Sequence, residues 1–191
     1  MKGFSTENPI IAAVRDVKHM NHVIQTSIDT IFLMTGDIFT IEECVSIARN
    51  NDKQIFIHVD LIRGIAKDKE GIKYLARRVK PDGIVTTKNQ LIHVAKKEGL
   101  LTVQHLFLID THAYQTGIKN ILDVEPDAVE LMPGLMPRVI NDLYRQIPCP
   151  IVCAGLIKSE QEVIEALAAG AAATAISEQS LWDLQPQLLK K

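Results

Sequence analysis

Several short apolar runs of this chain end in side chains that can do chemistry. His58 and Asp60 close the run Gln54-Ile55-Phe56-Ile57-His58-Val59-Asp60. Two residues apart on an extended segment, they point the same way. Lys88 follows Gly83-Ile84-Val85-Thr86-Thr87, and Glu130 sits inside Asp127-Ala128-Val129-Glu130-Leu131-Met132. An unpaired carboxylate is costly to bury in an apolar strand, so Glu130 calls for a ligand hydroxyl or a cationic partner such as Lys88. These types support two chemistries. Carboxylates, an imidazole and an ammonium can read the hydroxyls of a small polar ligand. Lys88 can also serve as a Schiff-base amine, with Glu130 or Asp60 as general base. Plainer roles compete at each position: a packed interior His58, a solvated Lys88, and Asp16 and Asp37 as helix caps.

The C-terminal third offers a second kind of chemistry. It reads Ile151-Val152-Cys153-Ala154-Gly155-Leu156-Ile157-Lys158-Ser159, then a helical stretch, then Gly170-Ala171-Ala172-Ala173-Thr174-Ala175-Ile176-Ser177-Glu178. Gly155 follows a strand, where the missing Cβ lets a ligand approach the backbone. Ser177 is expected to open the final helical segment. Backbone N–H groups around Gly155, Leu156, Ser177 and Glu178 can therefore hold a phosphate without a basic side chain. An ordinary turn glycine and an ordinary N-cap serine are the alternative.

These residues need a frame. Eight apolar runs recur, adding Pro9–Val14, Thr30–Met34, Leu101–Phe107, Pro150–Ala154 and the alanine-rich Ala172–Ser177 to those above. The last is atypical, because alanine is a poor strand former. Helical spacing separates the runs, as in Ile41, Cys44, Val45, Ala48 and in Val163, Ala166, Leu167. Ser159 and Glu162 form a capping-box pattern, and Pro or Gly marks most helix-to-strand returns. Strict alternation implies a parallel sheet. Eight units predict a compact TIM-like (βα)8 barrel, α/β in class, as a single domain over residues 1–191. An open doubly wound sheet is the alternative. In a barrel, His58, Asp60, Lys88, Glu130, Gly155 and Ser177 would all face the C-terminal mouth.

Composition narrows the function. Of 191 residues, 47% are apolar and 23% charged, with a net charge of −2, so no global basic field attracts nucleic acid or membrane. Arg77, Arg78 and Lys80 form the densest basic cluster. Cys44, Cys149 and Cys153 lack a disulfide framework or zinc-ligand spacing, so neither metal nor cofactor is expected. No signal pattern and no apolar run of about 18 residues is present, and a cytoplasmic location is expected, with homo-oligomerisation left open.

Almost the whole chain, from about Pro9 to Trp182, resembles the glycerol uptake operon antiterminator regulatory proteins. The resemblance rests on His58-Val59-Asp60-Leu61-Ile62-Arg63-Gly64, Pro81-Asp82-Gly83-Ile84-Val85-Thr86-Thr87, Leu106-Phe107-Leu108-Ile109-Asp110, Pro126-Asp127-Ala128-Val129-Glu130-Leu131-Met132-Pro133-Gly134, Ala154-Gly155-Leu156-Ile157 and Ala175–Trp182. It implies a bacterial regulator, not an enzyme, that binds leader mRNA in the presence of glycerol 3-phosphate. The chain departs from the family pattern at His105, where an arginine is expected, and at Ala154 or Leu156, where a second glycine is expected. The competing expectation is a barrel enzyme acting on a glycerol or triose phosphate.

Overall fold

The computed structural model describes residues 8–184. All eight apolar runs are strands: β1 (Ile10–Val14), β2 (Thr30–Leu33), β3 (Gln54–His58), β4 (Gly83–Thr86), β5 (Leu101–Phe107), β6 (Ala128–Met132), β7 (Ile151–Ala154) and β8 (Ala173–Ile176). Each pairs in parallel with the next, and β8 pairs with β1 through Ile10–Thr174, Ile11–Ala175 and Ala12–Ile176. The sheet is therefore a closed barrel, not an open one. Among the described residues, seven α-helices surround it: α1 (Met20–Val23), α2 (Ile41–Asn50), α3 (Lys69–Tyr74), α4 (Asn89–Lys97), α5 (Thr111–Val124), α6 (Pro137–Tyr144) and α7 (Glu160–Ala168). None is long and apolar enough to cross a membrane.

Strand alternation divides the core in two. Ile10, Ala12 and Val14 point outward and join Ile41, Val45, Leu91, Ile140 and Val163 of the helices in one cluster. Ile11 points inward with Phe32, Phe56, Val85, Val103, Ala128, Val152, Ala154, Ala173 and Ala175. This is the period-two pattern of a strand buried on both faces. The predicted capping box starts α7: Ser159 Oγ accepts from Glu162 N, and Glu162 Oε2 accepts from Ser159 N at 3.0 Å.

The inner cluster is lopsided. Phe32 and Phe56 meet edge to face on β2 and β3, with ring centroids 5.5 Å apart. Alanines line β6, β7 and β8. The Phe56 ring leaves no space beside β4: a Cβ on Gly83 would lie 2.5 Å from that ring and 2.6 Å from the Leu101 carbonyl oxygen. Alanine-rich β8 is a strand despite its low propensity, because neighbours on both sides complete its ladder.

Two details differ from expectation. Cys149 precedes β7 rather than sharing a strand with Cys153. The segment after β8 is a single 3-10 turn, Gln179–Leu181, with Glu178 at its N-cap, so Ser177 lies one residue before the cap. Trp182 closes that turn. It is 1% exposed, donates from Nε1 to the Ile176 carbonyl at 2.8 Å and packs on His19 and His22.

Gly83→Ala should lower unfolding free energy by about 1–3 kcal/mol, the usual range for overpacking, in urea denaturation. An unchanged midpoint would show that Phe56 yields freely.

Candidate ligand-binding site at the C-terminal mouth of the barrel

A cavity of about 390 Å³ opens where the interior is poorest in large side chains. Ala13, Ala154 and Ala175 line it from β1, β7 and β8. Their short side chains leave the room that phenylalanines take on the opposite strands. Glu130 and Met132 contribute from β6, and Gly155, Leu156, Ile157 and Ser177 from the turns after β7 and β8. Arg15, just past β1, supplies a cationic side chain.

The β7 turn is built for a close backbone approach. Gly155 and Leu156 are both left-handed, with φ of +75° and +66°. A Cβ on Gly155 would lie 2.5 Å from Met132 Cγ, so a side chain is excluded by space as well as by conformation. The N–H groups of Leu156, Ile157 and Ser177 have no acceptor among the described residues. Free backbone donors on adjacent turns, with a guanidinium beside them, are what an anion requires.

The polar wall is different. Glu130 is fully buried yet touches the cavity. Its Oε2 lies 2.5 Å from His105 Nδ1, which is also 3.2 Å from His58 Nε2. The carboxylate contact lacks hydrogen-bond alignment, and Glu130 Oε1, His105 Nε2 and His58 Nδ1 have no hydrogen-bond partner among the described residues. Burial pushes the His58 imidazole below its ordinary pKa, and the Glu130 charge opposes that shift. The partner expected at Lys88 is thus His105, directly opposite Glu130 in the β5–β6 register.

The model of the glycerol-3-phosphate responsive antiterminator family matches residues 10–182. The chain belongs to this family. The solved glycerol uptake operon antiterminator regulatory protein of Listeria monocytogenes is 30% identical, superposes with a TM-score of 0.91 and covers 95% of this chain and 98% of that one. A glycerol uptake operon antiterminator-related protein from Thermotoga maritima is 31% identical, with a TM-score of 0.81 and coverage of 92% and 98%. An uncharacterized protein of Escherichia coli, YgcP, is 32% identical over 96% of both chains.

In this family member, the site residues expected from sequence divide. Gly155, Leu156, Ser177 and Glu130 line one cavity, and His58 reaches it through His105. Asp60 does not line it. Its Oδ2 accepts from Thr87 N at 2.8 Å, Thr86 Oγ1 at 3.1 Å and Thr87 Oγ1 at 3.2 Å, tying the ends of β3 and β4 together. Lys88 stands half-buried before α4, without an ion pair among the described residues. Glu178 is exposed, and its carboxylate accepts from Ser180 Oγ at 3.1 Å. Asp16 and Asp37 accept from backbone N–H groups two or three residues on, as caps do.

Arg15, which by sequence follows the first strand at the same mouth, and His105, which by sequence is mid-strand, join the site in the structure. Strand order carries the signal for Arg15, since closure sets β1 beside β8 and Arg15 near Ser177. For His105 the signal is parity: Val103, His105 and Phe107 are alternate positions of β5, and Val103 belongs to the interior cluster.

Removing one member of a close buried polar pair leaves the other unsatisfied and costs about 1–3 kcal/mol, whereas replacing both with apolar groups can be nearly neutral. His105→Leu should therefore lower stability by that amount, and His105→Leu with Glu130→Leu should regain most of it in denaturant titrations. Additive losses would show that the two side chains are not coupled.

Proposed function

We propose that the cavity is the effector site, that the effector is glycerol 3-phosphate, and that the occupied protein acts on leader mRNA as an antiterminator. One observation carries the site: the free N–H groups of Leu156, Ile157 and Ser177 and the Arg15 side chain border the same cavity as the Glu130 carboxylate. The first set suits a phosphate, and the second suits the hydroxyls of a short polyol. A molecule with both groups a few bonds apart fits the pair. The family description supplies the response to glycerol 3-phosphate and the antitermination.

The protein senses the molecule rather than converting it. Lys88, the expected Schiff-base amine, does not line the cavity, and Asp60 is committed to Thr86 and Thr87. The basic cluster is also engaged: Arg77 grips Glu98 through two hydrogen bonds, and Arg78 pairs with Glu42. A surface that contacts RNA only in the ligand-bound state requires unequal ligand affinity for two conformations. The mouth loops, which hold both the anion donors and exposed Leu156, Phe107 and Ile109, are the segments that could differ between them.

Calorimetry should show saturable binding of glycerol 3-phosphate, weaker binding of inorganic phosphate and weaker still of glycerol. Leader-RNA gel shifts should appear only with glycerol 3-phosphate. RNA binding indifferent to the ligand, or turnover of a phosphorylated triose, would overturn the reading. Ala175→Leu fills the cavity and should abolish ligand binding while circular dichroism stays unchanged. Retained affinity would place the site elsewhere.

A further inference from the structure

The three side chains on the inner wall form a constellation that hydroxyl recognition alone leaves unexplained. His58 (β3), His105 (β5) and Glu130 (β6) are 3%, 3% and 0% exposed. One ligand-type atom from each falls within 4.8 Å of those of the other two. We propose that they form a site for one divalent transition-metal ion, with Zn²⁺ the best match, and that its open coordination position faces the cavity.

The charge balance favours a cation. Glu130 lies in an interior otherwise supplied by Val85, Val103, Ala128 and Val152. Neither of its oxygens has a hydrogen bond, and the facing imidazole nitrogens, His105 Nδ1 and His58 Nε2, meet at 3.2 Å. Interiors tolerate such groups when they are paired or coordinate metals. A divalent ion between the three neutralises the carboxylate and gives each imidazole lone pair an acceptor.

The donor set selects the ion. Two imidazoles and a carboxylate are the protein ligands of open zinc sites, with the fourth position left to water or another oxygen ligand. Mg²⁺ and Ca²⁺ ask for oxygen donors instead. The spacing is nearly right. Tetrahedral ligands at zinc bond lengths stand about 3.3 Å apart. The His58 Nε2–His105 Nδ1 separation is 3.2 Å, and the His105 Nδ1–Glu130 Oε2 contact, at 2.5 Å, must open by less than an ångström. Glu130 is also the member of the set that lines the cavity, so the remaining position is accessible to a small oxygen ligand there.

The test needs no effector, so its outcome is separate from that of the effector reading. Protein stripped with a chelator is titrated with Zn²⁺ against a competing metal indicator. One equivalent per chain should bind. His58→Gln and Glu130→Gln should each weaken binding at least tenfold, roughly the scale on which metal sites respond even to loss of supporting partners. His93→Ala and His112→Ala, at positions outside the cluster, should bind as the parent does. Co²⁺ in the unmodified protein should give the intense visible bands of a four- or five-coordinate site, a readout independent of whether any variant folds. Absence of stoichiometric Zn²⁺ uptake would overturn the proposal. So would weak octahedral Co²⁺ bands, or loss of binding in His93→Ala or His112→Ala with retention in the cluster variants.

Discussion

Phe32 and Phe56 meet inside a ring of eight strands, whose enclosed width is set by strand number and leaves little slack. That fixed volume is the constraint on which the molecule turns. Two aromatic rings on β2 and β3 are balanced by glycine at the start of β4 and by alanines on β6, β7 and β8. The imbalance leaves the cavity at one edge of the C-terminal mouth. Alanine in β8 is thus poor for strand propensity and well suited to volume. Closure of the sheet supplies the pairing that propensity lacks.

The same closure assembles the anion donors. Gly155 and Ser177 follow adjacent strands, and the β8–β1 seam brings Arg15 to their side. None of the three makes an anion site alone. Across the cavity floor, Glu130 is held by an imidazole at strand register and not by a distant flexible ammonium. Its position is therefore fixed by the barrel wall itself.

The strands and the helix faces were legible from sequence because each rests on local periodicity. The capping box at Ser159 and Glu162 was legible for the same reason. Gly155 and Ser177 were legible because turn chemistry is local. Asp60 misled because a carboxylate at a strand end looks alike whether it meets a ligand or the next strand's threonines. His105 was passed over because its role depends on register between β5 and β6, which a list of spacings does not contain. Lys88 was chosen by charge complementarity, but it lies beyond the strand end, while Glu130 faces inward beneath the mouth. Ser177 reads as a helix cap because a serine after a strand resembles one, whereas Glu178 caps the 3-10 turn that follows.

Trp182 is the only tryptophan in the chain. Its indole hydrogen bonds to the last residue of β8, one position before Ser177, and two imidazoles lie against its ring. Its fluorescence therefore has a single address. Emission reports the seam beneath the anion turn without any dye. The fold carries its own optical gauge on the wall that a ligand must approach.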